Sequence, residues 1–212
     1  KESMQDTLMK ADGVAVIFIG IAGALSKMLV IKGGTIDTTG TMMMIISLSL
    51  GAIVGEMLDL DGKMIHFGEW LKIKTGNAKD KKFVDGFVMA SLTVCIGAMA
   101  VVGSIEDGIH ADHSILFAKA ILDFVIILVM SATLGKGCLF SFVPVGLFQG
   151  TITLLASLIS PFITASAMSA LSYIGSILIF CVGVNLVFNT KIRVANLLPA
   201  LIVACICTVF SL

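Results

Sequence analysis

Residues 114–134 read S-I-L-F-A-K-A-I-L-D-F-V-I-I-L-V-M-S-A-T-L, an apolar run interrupted by one Lys and one Asp. A hydrocarbon core of roughly 30 Å asks for about 20 such residues in a helix. A helix that is hydrophobic on every face lies in a membrane or deep inside a large core. Six further apolar stretches flank this one, at residues 13–31, 42–58, 83–105, 138–159, 169–188 and 197–212. The expectation is an all-α polytopic transmembrane helix bundle of about seven spans, one integral membrane domain over residues 1–212. Gly and Pro inside these stretches (Gly51, Gly55, Gly97, Gly146, Pro144, Pro199) do not count against them, because membrane helices tolerate both.

Composition agrees. Hydrophobic residues make up 58% of the chain and charged residues 13%, against roughly 45–50% apolar in soluble domains, and the mean hydropathy is +1.07. Seven spans with short loops use up the chain and leave no room for a soluble catalytic domain. Fourteen basic and fourteen acidic residues balance to zero net charge, so no nucleic-acid partner is expected, since that would need a clustered basic face. The lipid bilayer is the expected partner. Cys95, Cys138, Cys181, Cys205 and Cys207 all fall in apolar stretches with no metal-ligand or disulfide spacing, so they read as small buried hydrophobes, and neither metal nor cofactor is expected. The chain opens at Lys1 with a polar dozen residues, so no signal peptide is read and a trimmed start is expected.

The positive charges set an orientation. If all seven stretches cross, one side receives Lys1, Lys10, Lys63, Lys72, Lys74, Lys79, Lys81, Lys82, Lys136, Lys191 and Arg193; the other receives only Lys27 and Lys32. The positive-inside rule then puts residue 1 in the cytoplasm and residue 212 outside. The connection 59–82 carries Met64, Ile65, Phe67, Trp70, Leu71 and Ile73 among its lysines. That spacing suits a short amphipathic helix at the anionic headgroups, and it suits a solvated loop with apolar anchors equally well.

Charges within hydrocarbon cost about 2.5–3.5 kcal/mol each on insertion scales, so each one needs an explanation. Lys119 and Asp123 are four apart and share a helical face; the pair is either a self-satisfied internal ion pair or a counter-charge facing a substrate or ion. Glu56 and Asp85 lie close enough to span ends to snorkel. The third stretch carries Ser91, Thr93 and Cys95, then Gly97, Met99, Gly103 and Ser104, a run of small residues that either packs closely or unwinds to line a site. In the fifth, P-V-G-L-F-Q-G-T-I-T combines Pro144, the Gly146 and Gly150 pair, and the polar Gln149, Thr151 and Thr153. It is the strongest candidate for a broken helix. Gln149, and Asn185 in the sixth stretch, must bond another helix or a ligand. The candidate substrate- or ion-binding residues are therefore Ser91, Thr93, Cys95, Lys119, Asp123, Gln149, Thr151, Thr153 and Asn185. His110, Asp112 and His113, with Glu106 or Asp107, read as a solvated acidic loop. No Ser-His-Asp grouping, Walker loop or H-E-x-x-H supports an enzyme.

An internal echo links the first and sixth stretches: Gly13, Ile17 and Phe18 match Gly175, Ile179 and Phe180. An offset of five spans makes the two helices antiparallel, the arrangement of an inverted repeat in a secondary transporter.

Four ordered motifs carry a family resemblance: G-F-V-M-A-S-L-T-V-C-I-G-A-M-A-V-V-G-S-I-E-D-G (86–108), K-A-I-L-D (119–123), F-Q-G-T-I-T-L-L-A (148–156) and R-V-A-N-L-L-P-A (193–200). Together they resemble the YqgA-like bacterial inner-membrane proteins, domain of unknown function 554. The resemblance implies a bacterial plasma-membrane location and a family described only as uncharacterised or as candidate transport proteins. It also implies one more hydrophobic segment before residue 13, hence eight spans, and Pro where Ala98 stands, so a proline-enforced break in the third span is not expected here. The expected function is a secondary transporter or channel for a small solute or ion, its site lined by the third, fourth and fifth spans. The alternative is a structural or regulatory membrane protein; a homo-oligomer fits either.

Overall fold

The computed structural model describes residues 2–95 and 98–209. Helix α1 (Glu2–Met28) enters the apolar stretch at Met9. It gives way to a hairpin of β1 (Leu29–Lys32) and β2 (Thr35–Thr38), paired antiparallel with Val30 opposite Asp37. The first span therefore ends at Met28 and not at Ile31. Gly33 and Gly34 supply the two positive-φ residues (58° and 82°) of a two-residue turn, and β-branched Val30 and Ile31 suit the extended backbone that leads into it.

Helix α2 (Thr41–Leu58) is followed at once by α3 (Leu60–Lys74). Asp59 joins them in the left-handed region, at φ 45°, and its carboxylate accepts from the Gly62 amide. The connection 59–82 thus contains a helix, and that helix is folded onto the bundle. Phe67 stacks on Trp70 at 5.7 Å and meets Phe87 edge-on at 5.8 Å, while Trp70 and Ile73 stay largely exposed.

Phe87 lies on α4 (Phe83–Cys95), followed by α5 (Ala98–His110), α6 (Ser114–Leu134), α7 (Phe142–Leu154), the single turn α8 (Ala156–Ile159), α9 (Ala165–Phe188) and α10 (Pro199–Val209). Short 3-10 segments precede α7 (Lys136–Ser141) and α10 (Val194–Leu197).

Among the described residues five helices are long and apolar enough to cross a bilayer, and a sixth is gained if α4 and α5, bent by 63°, count as one. The seventh stretch appears as Val194–Val209, which is shorter; residues 210–212 of it lie outside the described residues.

The positions of the breaks also differ from expectation. Helices α4 and α5 of the third stretch are bent by 63° although Ala98 stands where a proline would enforce a break; Ile96 and Gly97, between them, lie outside the described residues. Ser91 and Thr93 donate their hydroxyls to the carbonyls of Phe87 and Met89, four residues back, at 2.6 and 2.8 Å. Such back-bonding bends helices. Pro144, by contrast, breaks nothing. It stands in the first turn of α7, where its missing N–H had no intrahelical acceptor to lose. The fifth span breaks later, at Leu155, between α7 and α8.

The most extensive helix contact joins α1 to α9, and these run antiparallel: Gly13 meets Val187, Gly20 meets the Phe180 backbone, and Gly183 meets Ile17. This is the orientation the echo requires. Helices α2 and α10 pair the same way, with Gly51 on Ala200, and Gly55 meets Asn196 in the 3-10 segment that leads into α10. Small residues let membrane helices approach to backbone contact, where van der Waals packing replaces the missing hydrophobic force. A shared core of Ala90 and Leu92 (α4), Met130 and Leu134 (α6), and Leu178, Val182 and Leu186 (α9) fills the centre. Facing away from it, α6 exposes Phe117, Ile121, Phe124 and Leu128, and α7 buries no residue at all. Such surfaces are suited to lipid.

Candidate functional site

Lys119 and Asp123 fall on the inward stripe of α6 that continues through Met130 and Leu134. Lys119 is only 6% exposed. Its ammonium donates to the Val94 carbonyl oxygen at 2.8 Å and to the Asp123 carboxylate. The Val94 carbonyl belongs to the last described turn of α4. An ammonium has three protons to give and no lone pair, so it suits that position better than a neutral donor.

Cys95, the last described residue of α4, lies within electrostatic reach of both Lys119 and Asp123. Cys95, Lys119 and Asp123 therefore come together. Ser91 and Thr93 lie earlier on the same helix with their hydroxyls committed to backbone.

The other candidates sit elsewhere. Helix α7 packs on α4 and α5. The Nε2 atom of Gln149 is buried without a hydrogen-bond partner. Thr151 donates to the Leu147 carbonyl at 2.6 Å and lines an open apolar groove of about 560 Å³ with Phe67, Pro144, Leu147, Phe148 and Ile152. The Thr153 carbonyl abuts Gly108 of α5. Asn185 is spent at the end of α9: its Oδ1 accepts from the Thr190 hydroxyl (2.7 Å) and the Ile192 amide (3.0 Å), and its Nδ2 donates to the Ile192 carbonyl (2.8 Å). It holds the α9–α10 connection.

A second polar centre escaped the sequence reading. Arg193 pairs with Glu56, Asp59 and Asp61; Asn196 donates to Glu56 and accepts from the Asp61 amide at 2.8 Å. Glu56, read as a snorkelling carboxylate, is thus bound to the R-V-A-N motif. Burial pushes the Asp61 carboxyl up, and the Arg193 guanidinium opposes that rise. The signal was present in 193–196, but the partners are about 135 residues away in sequence. Buried Ser47, whose Oγ has no partner, was likewise not singled out.

The stretch read as a solvated acidic loop is mostly the last turn of α5: His110 pairs with Glu106 there at 2.7 Å, and His113, in the loop that follows, pairs with Asp107. Among the described residues no three His, Cys, Asp or Glu side chains are grouped to hold a metal.

The chain as a whole has relatives among known sequences. The chain is 28% identical over 204 residues to the uncharacterized membrane protein YdfK of Bacillus subtilis (strain 168), covering 96% of this chain and 82% of that protein. It is 27% identical over 207 residues to the uncharacterized protein YqgA of Escherichia coli (strain K12), covering 96% and 83%. No solved structure matches it. The model of the family described as protein of unknown function DUF554 matches residues 1–209, and the chain belongs to that family of membrane proteins.

Proposed function

We propose that this protein is a secondary transporter or channel that moves a small solute or ion across the bacterial plasma membrane, without enzymatic activity, cofactor or nucleic-acid partner. One observation carries the reading: a charged pair on the inward face of α6 reaches a main-chain carbonyl of α4, beside the 63° bend between α4 and α5. Broken helices that aim their termini at charged groups are a recurrent way to build a binding site inside a membrane, and an intramembrane ion pair that only held helices together could be replaced by apolar residues at little cost. In this reading residue 1 is cytoplasmic and residue 212 extracytoplasmic, and the chain assembles with copies of itself.

The test is flux in proteoliposomes. Wild type is screened against panels of small ions and solutes, and Asp123→Asn and Gln149→Ala are compared with it at equal folded amounts. Loss of flux in Asp123→Asn with the helix content intact supports the proposal. Unchanged flux in both variants removes these residues from the mechanism.

One specific observation favours the structural alternative for part of the set. Ser91, Thr93, Thr151 and Asn185 all spend their polar atoms on backbone nearby in sequence. These four are helix-shaping groups even in the transport reading, which leaves Cys95, Lys119, Asp123, Gln149 and Thr153 for the solute.

A further inference from the structure

We infer that the Lys119 ammonium is a tethered cation occupying a monovalent-cation seat, built from the Val94 carbonyl and the Asp123 carboxylate, so that the proton and not sodium or potassium is this protein's coupling ion. The coupling half rests on the transport reading above; the seat itself does not.

The argument starts from charge. Lys119 is nearly fully buried, and its ammonium is held by one carboxylate and one main-chain carbonyl at 2.8 Å, drawn from two different helices. These are the hard oxygen ligands that suit an alkali cation. Main-chain carbonyls inside a membrane protein can coordinate sodium or a proton. Here the positive charge arrives on a side chain. The titratable groups facing the ammonium are Asp123 from its own helix and the Cys95 thiol from α4. With Lys119 protonated and Asp123 ionised the seat is neutral. When an N–H bond of the ammonium breaks and its proton leaves to water, the amine keeps the electron pair and the seat carries one uncompensated negative charge. The cost of that charge in a low-dielectric site makes the seat accept one positive charge at a time. Because the amine stays tethered there, an alkali cation is kept out and only a proton restores neutrality.

Shortening the tether should therefore open the seat. The experiment uses the full chain, purified in detergent, and compares wild type, Lys119→Ala and Lys119→Ala/Asp123→Asn in sodium, potassium or choline chloride at one ionic strength. Thermal unfolding and equilibrium binding of radioactive sodium and rubidium are measured. Wild type should unfold at the same temperature in all three salts and bind neither ion. Lys119→Ala should bind an alkali cation with one-to-one stoichiometry and unfold about 3–6 °C higher when the cation is at about ten times its dissociation constant. The double variant should lose both effects.

A Lys119→Ala protein indifferent to alkali cations overturns the seat. Should that variant be recovered folded only when sodium or potassium is present throughout, this is the same result in stronger form. If it is recovered in neither, Lys119→Gln, which keeps a donor for the Val94 carbonyl, is measured in the same salts, and indifference there overturns the seat as well. Wild-type flux driven by a sodium gradient and not by a pH gradient defeats the coupling half while leaving transport standing. Absence of any flux, with cation binding to Lys119→Ala intact, defeats transport and leaves the seat.

Discussion

Gly55 of α2 packs so closely on Asn196 that a methyl group placed on its Cα would lie 1.8 Å from the Asn196 carbonyl oxygen. The contact is backbone on backbone, so no flexible side chain can yield. Overpacking of this kind typically costs about 1–3 kcal/mol, occasionally more. Gly55→Ala is expected to lower the unfolding temperature by several degrees, read by circular dichroism in detergent. Gly146→Ala is the control: nothing lies within 4 Å of a Cβ there, and the expected outcome is no loss, with a gain of about 0.5–1 kcal/mol from helix propensity. Equal effects at the two sites would contradict the α2–α10 contact.

The Lys119 and Asp123 pair should behave as a coupled unit in stability. Removing one partner strands a buried charge, at about 3–5 kcal/mol, so Asp123→Leu alone should be strongly destabilised. Lys119→Met/Asp123→Leu together should recover most of that loss. A double-mutant cycle in a chemical denaturation series measures the coupling; additive effects would show that the two side chains do not meet.

Asn185 makes three hydrogen bonds within the α9–α10 connection. Asn185→Leu leaves the Ile192 amide and carbonyl without those partners, at about 1–3 kcal/mol. Stability falls while the Lys119 pair is untouched, so any flux per folded molecule should persist. A variant that folds as well as wild type and loses flux would move Asn185 into the binding site.

The loop before α6 should respond to acid. Hydrogen bonds from the Ser114 hydroxyl and amide to Asp112 hold its carboxyl below the usual range. A carboxyl depressed in the folded state contributes stability that is present above its unfolded pKa of about 3.9 and is lost as pH falls through the lower folded value. Protection of the first α6 amides from hydrogen exchange should therefore be steady from pH 7 to about 5 and decline only at the most acidic values. In Asp112→Asn the decline should be absent.

Reporter fusions after Lys82 and after His113 examine the bent pair α4 and α5. Opposite-side signals mean that the pair crosses as one broken span, in line with the charge distribution. Signals from the same side mean a re-entrant loop, and the orientation of every later helix then reverses.

The sequence was most legible where one property repeats without need of a partner. Apolar run length located α6 at Ser114–Leu134 to the residue, and four-residue spacing placed Lys119 beside Asp123. What could not be read depends on groups distant in the chain. The Val94 carbonyl has no sequence signature, because every residue has a carbonyl; only the arrival of Lys119 on α6 makes it special. Glu56 and Asn196 are 140 residues apart, so each looked like an isolated polar residue near a span end. Pro144 misled for a related reason: its effect depends on whether it falls in the first turn or the middle of a helix, and helix starts are what sequence locates least well.

The pairing of α1 with α9 has a consequence for how the protein is made. The partner of the first helix is encoded about 160 residues later, and at about 5–20 residues per second that separation corresponds to roughly 8–30 s of translation. During that interval α1 waits in the bilayer with its glycine face against lipid or held by the insertion machinery. The largest contact of the bundle therefore closes only after most of the chain has been made, and ribosomes stalled before Ala165 should leave α1 accessible to crosslinking from lipid in a way the finished protein does not.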